Sequence, residues 1–219
     1  MVLFRDRSEA GRELAAALGS FAEEPDVIVL GLPRGGVPVA LEVAERLDAP
    51  LDVFVVRKLG VPGFEELAMG AVASGGSRVL NLKVVGAAGI DREQVEAISR
   101  RELREVERRE KLYRGDRPEL DPAGRTAVVV DDGLATGSTM RAAVAALRGR
   151  GAPRVVVGVP VASPDVCAEL EPEVEDIVCA RTPERFRSVG GCYEQFPQLT
   201  DEDVARLLAR SRQDFRKVQ

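Results

Sequence analysis

The chain predicts an α/β fold: an open parallel sheet of about five strands with helices on both faces, interrupted by a mobile hairpin and closed by an irregular tail. Three observations predict it. Short continuous apolar runs, such as Val27-Ile28-Val29-Leu30 and Ala127-Val128-Val129-Val130, suit strands buried on both faces. Stretches of helical period alternate with those runs. The corners between them are short and rich in glycine. With 219 residues, 45% of them apolar, the chain is long enough to bury one sizeable core. We expect a single domain over 1–219, with a core at about 22–180, an excursion over 59–115 and a hood or tail from about 181.

The elements follow in order. Residues 8–20 read as an amphipathic helix with Ser8 as N-cap and Leu14, Ala17, Leu18 and Phe21 on one side. The run from Val27 to Leu30, bounded by Pro25 and Gly31, is the first strand. A glycine-rich turn, LPRGG, leads into the helical pattern VPVALEVAERL, and Leu51 to Val56 is the second strand. Gly60, Pro62, Gly63, Gly70, Gly75 and Gly76 punctuate the next segment, which reads as two short strands joined at 74–77. Asp91 to Arg114 is a long charged helix with favourably ordered pairs, Glu105–Arg109 and Glu110–Arg114 among them. Val95, Ile98, Leu103, Val106 and Leu112 make a narrow apolar stripe, as on a solvated surface helix lying on the core rather than a nucleic-acid helix. After a linker at 116–124 the alternation resumes: strand 127–130, helix 138–150, strand 154–159, helix 164–170, strand 174–178. Residues 181–199 are irregular, and Thr200 with Asp203 opens a last helix.

Composition narrows the chemistry. A net charge of −5, from 31 basic and 36 acidic residues, argues against general binding to nucleic acid or anionic membranes. No apolar run approaches ~18 residues, and the start, MVLFRDRSEAGREL, lacks the apolar stretch of a signal peptide. Cys167, Cys179 and Cys192 form no CxxC pair, so a reduced, cytoplasmic protein without structural zinc is expected. Histidine is absent, which excludes Ser-His-Asp and Cys-His catalysis and any His-ligated metal.

The most informative stretch is VVVDDGLATGST, Val128 to Thr139. A buried strand delivers Asp131 and Asp132 to its carboxyl end, the edge where open α/β sheets hold ligands. A loop of small and hydroxylated residues, Ala135, Thr136, Gly137, Ser138 and Thr139, then opens a helix. Unpaired amides at a helix start suit a phosphate, while paired carboxylates suit vicinal hydroxyls or a divalent cation. A ribose 5-phosphate moiety combines those features.

This stretch resembles the phosphoribosyl-pyrophosphate (PRPP) signature of the type I phosphoribosyltransferases. The resemblance implies that Asp131 and Asp132 hold the ribose hydroxyls and that Ala135 to Thr139 hold the 5-phosphate. Gly133 departs from the usual branched apolar residue. Ala135 stands where 6-oxopurine members carry an Asp, which brings the loop closer to adenine-type members. GLPRGGVP is similar to the family's pyrophosphate loop, with Arg34, Gly35 and Gly36 toward the diphosphate and a cis peptide expected at Pro33–Arg34. RKLGVPGFEE looks like the run that opens the family's catalytic loop. That places Arg57 and Lys58 on pyrophosphate, and Glu65 or Glu66 either near the reacting centre or capping a turn. In the tail, Phe186 and Tyr193 either stack on a base or pack the hood, whereas Phe196 reads as packing.

The resemblance thus implies a Mg²⁺-dependent transferase of nucleotide salvage, moving the 5-phosphoribosyl group of PRPP to a base and releasing pyrophosphate. Mg²⁺ would arrive with PRPP, with Asp131 and Asp132 as candidate ligands. Arg57, Glu65, Asp131 and Asp132 are the candidate catalytic residues, and a homodimer is expected by analogy. Two alternatives stand beside this reading: a non-catalytic PRPP sensor on the same fold, and a nucleotide or pyrophosphate hydrolase, which would want more carboxylates.

Overall fold

The structure, a computed structural model, describes residues 2–215 apart from the side chains of Glu66 and of residues 212–215. The chain begins with α1 (Arg7–Ala17), β1 (Val27–Gly31), α2 (Gly36–Leu47) and β2 (Leu51–Val53). An excursion follows: β3 (Val56–Val61), β4 (Phe64–Ala73), β5 (Ser77–Leu80), α3 (Leu82–Ala87) and α4 (Arg92–Arg114). The second half holds β6 (Thr126–Val130), α5 (Ser138–Gly149), β7 (Arg154–Val161), α6 (Pro164–Leu170), β8 (Asp176–Arg181) and α7 (Asp201–Phe215).

Five strands pair in parallel in the order β2-β1-β6-β7-β8. Residues of β1, β6 and β7 divide between two cores, as the period of a strand requires. Val27, Val29, Val128, Val130 and Val156 pack with α1, α2, α4 and α7, while Ile28, Leu30, Ala127, Val129 and Val157 pack with α5. Helices therefore cover both faces, as predicted. The order reverses beside β1: the chain runs outward to β2 on one side, while β6, on the other, leads away to β7 and β8. That reversal is a topological switch point, where a crevice opens at the carboxyl ends of the strands.

Several predicted boundaries move. Asp6, not Ser8, caps α1, accepting the Glu9 N–H at 2.8 Å, because Ser8 already lies within the first turn. The last strand of the main sheet starts at Asp176 rather than Val174. The run from Leu51 to Val56 is two strands, since the chain leaves the main sheet after Val53 and pairs elsewhere from Val56. The two strands expected on either side of 74–77 are present as β4 and β5, and β3 adds a third, so residues 56–80 form an antiparallel sheet in the order β3-β4-β5. Arg57, Lys58 and Gly60 interrupt the apolar pattern of β3, which hid it as a strand.

The 74–77 link, expected as a mobile tip, is held instead. Ser74 is fully buried, its Oγ accepts the Val55 N–H at 2.9 Å, and Arg150 Nη1 donates to its carbonyl at 3.2 Å. Solvent meets the opposite turn, at Pro62-Gly63, where Phe64 is 72% exposed. The excursion is anchored by a buried ion pair: Arg114 Nε lies 2.9 Å from Asp52 Oδ2, and Arg114 Nη2 donates to the Val53 carbonyl. So α4 lies on the core along its narrow apolar stripe, as expected, and the ion pair ties it there as well. It starts with a capping box, Asp91–Gln94, and buries Val95, Val106 and Tyr113 against a core shared with Leu59, Met69 and Val72 of the small sheet. Among the described residues no helix is long and apolar enough to cross a membrane.

Candidate functional site

The crevice at the switch point gathers the loops that follow β1 and β6. Register fixes this: Gly31 pairs with Val130, and the Leu32 N–H donates to the Val130 carbonyl at 2.8 Å. The turn after β1 therefore lies against the acids after β6. A Cβ on Gly35 would sit 1.9 Å from Asp132 Oδ2, and one on Gly36 would sit 2.5 Å from the Val130 carbonyl oxygen. Only glycine tolerates that approach. The Pro33–Arg34 peptide is cis.

Asp131 and Asp132 are adjacent, largely buried and like-charged. Burial, then the charge of Asp132, raises the pKa of Asp131 well above the ordinary carboxylate value, with Arg7 opposing. Burial pushes Asp132 the same way, against a direct hydrogen bond from Arg7. That partner was not foreseen. Arg7 Nε meets Asp132 Oδ2 at 2.9 Å, and the Tyr193 hydroxyl donates to the Asp132 carbonyl at 2.6 Å. The sequence carried one weak signal for Arg7: a cation in the first turn of a helix, where the dipole disfavours it.

The anion loop lies beside the acids. Gly137, at φ +70°, turns the chain into α5 and offers no capping side chain, while the Ser138 N–H reaches Thr136 Oγ1 at a long 3.5 Å. Ala135, Thr136, Ser138 and Thr139 are exposed, and the Thr136 and Ser138 hydroxyls lie 2.9 Å apart. Arg141 braces the loop from behind by donating to the Thr136 carbonyl at 3.1 Å. The helix start thus presents amides and hydroxyls together, which suits a phosphate.

The cations that complete the site are held by carboxylates from distant helices. Arg34 Nη1 stands 4.0 Å from Asp201 Oδ1, at the start of α7, and Tyr113 donates to the same oxygen at 2.6 Å. Arg57 donates to Glu102 Oε2 of α4 through Nε at 2.9 Å and Nη2 at 2.6 Å. Burial opposes ionisation of Glu102, but hydrogen bonds from Arg57 and Arg101 prevail and hold its carboxyl below the ordinary range. Neither Asp201 nor Glu102 was singled out from sequence, because each reads there as an ordinary helix acid.

Arg57, Lys58, Glu65, Glu102 and Thr139 line one cleft of about 530 Å³, which joins the excursion to the anion loop. Glu65 Oε1 accepts the Gly63 N–H at 3.2 Å, within the exposed turn; the Glu66 side chain lies outside the described residues. In the hood, Phe186 is half-buried against the Phe4, Cys192 and Tyr193 cluster. The Tyr193 ring stands 5.5 Å from that of Phe4 and 5.0 Å from that of Phe196, so it packs on both sides. Phe196 is partly exposed and carries the Arg7 guanidinium 3.7 Å over its ring. A second cleft, of about 660 Å³, opens in the hood among Pro183, Arg185, Arg187 and Ser188. Gly133 lies beneath this hood: a Cβ there would meet Val189 at 2.8 Å, which excludes the branched residue common at this position.

Comparison with known proteins places the chain and its fold in a family. The family model described as phosphoribosyl transferase domain matches residues 7–186. Two curated proteins of Mycobacterium tuberculosis, from strains CDC 1551 and H37Rv, each provisionally named phosphoribosyl transferase, are 47% identical over 215 residues. That alignment covers 98% of this chain and 48% of theirs, so the chain spans about half the length of these relatives. The crystal structure of TT1426 from Thermus thermophilus is 44% identical, with a TM-score of 0.85 over 95% of this chain and 99% of that one. A Neisseria gonorrhoeae protein crystallised with ppGpp shares the fold at 15% identity, with a TM-score of 0.52 over 96% of this chain and 97% of its own.

Proposed function

The chain belongs to the phosphoribosyl transferase family, and from that membership we propose that it transfers the 5-phosphoribosyl group of PRPP to a nitrogen of a base, releasing pyrophosphate. One observation carries the reading. The acid pair, the start of α5 and the close-packed glycine turn meet in one crevice, at the switch point of the sheet.

Each residue then has a task. Thr136 to Thr139 and the first amides of α5 bind the 5-phosphate. Asp131 and Asp132 accept hydrogen bonds from the ribose hydroxyls. The Gly35-Gly36 amides, Arg34, Arg57 and Lys58 neutralise the leaving diphosphate as positive charge develops on the sugar ring. Glu65, near the start of β4, sits beside the turn that would close the cleft of Arg57 and Thr139, and closure would keep water from the sugar cation. The hood cleft lined by Pro183, Arg185, Arg187 and Ser188 is our candidate seat for the acceptor base.

Mg²⁺ fits as a companion of PRPP rather than as a resident of the protein. Among the described residues no three His, Cys, Asp or Glu side chains cluster as ligands, so Asp131 and Asp132 would supply the protein's share and the diphosphate and water the rest. Bound there, the ion would supply charge neutralisation for the departing diphosphate.

The test is an assay with PRPP, Mg²⁺ and a panel of purines, pyrimidines and pyridine carboxylates, following pyrophosphate. Release that depends on one acceptor is expected. Tight PRPP binding with no acceptor-dependent release would replace the transferase by a sensor.

A further inference from the structure

Arg7 lies far in sequence from the signature loops, yet it is buried to 8% exposure beside the acid pair. Three contacts fix its guanidinium. Nε meets Asp132 Oδ2 at 2.9 Å, Nη1 donates to the Pro197 carbonyl at 2.9 Å, and the Phe196 ring lies 3.7 Å below. The segment before it is pinned to the hood in turn. Leu3 and Phe4 donate to the Cys192 carbonyl at 2.8 and 3.1 Å, Glu194 donates to the Phe4 carbonyl at 2.9 Å, and Gln195 to that of Arg5 at 2.8 Å. Tyr193, in the middle of this clasp, donates its hydroxyl to the Asp132 carbonyl. Side chain and main chain of Asp132 are thus both gripped from one side.

We propose that Arg7 is a positioning residue for sugar recognition: by holding Oδ2 of Asp132 it turns the other carboxylate oxygen to the ribose hydroxyls. The inference rests on the ribose role given above to Asp132. A buried guanidinium held at three points is too costly to leave unpaired, so it stays on the carboxylate when ligand enters. A carboxylate oriented in advance loses less freedom on binding, and the gain falls on the hydroxyls rather than on the phosphate.

The probes are ribose 5-phosphate, its 2,3-dideoxy analogue and inorganic phosphate, titrated calorimetrically into the full chain. The unmodified protein is expected to prefer ribose 5-phosphate over the dideoxy analogue by about tenfold or more. In Arg7→Gln that preference should fall to about threefold or less, with phosphate affinity unchanged. Phe196→Leu keeps the ion pair and removes the stack, so a partial loss of the preference is expected, and it decides the matter should Arg7→Gln not fold. A preference that survives both substitutions overturns the proposal. So does an equal weakening of all three probes, which would mark a purely structural arginine, or a tighter grip on the sugar, which would mark Arg7 as a plug. No preference in the unmodified protein would instead remove the ribose assignment itself.

Discussion

The corner after β6 and the small sheet of β3 to β5 both present charge to the crevice, but they are built in opposite ways. At the corner, one short stretch from Asp131 to Thr139 forms the site, and strand pairing plus a helix start suffice to aim its residues. In the small sheet, Arg57 and Lys58 lie on an excursion whose Leu59, Met69 and Val72 join the main core and which is also tied from far along the chain: Arg114 to Asp52, Arg150 to the Ser74 carbonyl, Arg57 to Glu102. The contrast teaches that the corner is shaped by local chain geometry, whereas the placement of Arg57 and Lys58 depends on ties to residues far along the chain.

The sharpest way to break the contrast is to cut a tie. Arg114→Met takes the guanidinium from the Asp52 carboxylate, which is 0% exposed, and should cost about 3–5 kcal/mol of stability in chemical denaturation, although the Val53 and Leu120 N–H groups still donate to it. If the loss stays below about 1 kcal/mol, the excursion does not depend on that pair.

Next comes the corner itself. Asp131→Asn with Asp132→Asn should lower PRPP affinity by about a hundredfold while the chain stays folded, since an amide oxygen in place of the second carboxylate can still accept from Arg7. Calorimetric binding beside a melting curve checks both halves. Unchanged affinity would remove the ribose role of the acids.

Arg57→Gln separates the two ends of the crevice. Pyrophosphate affinity should fall about tenfold and ribose 5-phosphate affinity should stay level, because only the diphosphate end loses a cation. An equal loss for both ligands would show that the ends are not independent.

The smallest effect is expected in acid. Arg108 and Arg109 hydrogen bonds lower the Glu105 pKa from 4.5 to about 2, and Glu102 is lowered in the same direction by Arg57 and Arg101. A carboxyl whose folded pKa is depressed stabilises above its unfolded value and loses that contribution as pH falls toward the folded one. Stability should therefore decline between about pH 4.5 and 2, by less than about 1 kcal/mol for Glu105 because it is partly exposed to solvent. Glu105→Gln should flatten that part of the pH profile.

How far the fold could be read follows the same division. The strands at 27–30 and 127–130 were legible because burial on both faces leaves an unbroken apolar run. The placement of the acid pair beside the loop of Ala135 to Thr139 was legible because sequence neighbours stay neighbours at a strand-to-helix corner. β3 was not, since charged residues facing a cleft look like the end of a strand. Nor was the tethered 74–77 link, where glycines suggested freedom but Ser74 is locked by the backbone of Val55.

The sequence by itself determined the alternation of buried strand and amphipathic helix, and with it the corner that carries Asp131, Asp132 and Thr136 to Thr139. Periodicity and local backbone chemistry act over a few residues, so they are written along the chain. Only the tertiary structure decided that Arg7 grips Asp132, that Glu102 and Asp201 hold Arg57 and Arg34, and that the tail packs Tyr193 between Phe4 and Phe196. Most of those pairings join residues far apart along the chain, Phe4 and Tyr193 from near its opposite ends, and ion pairs and ring stacking carry no local pattern that would announce them.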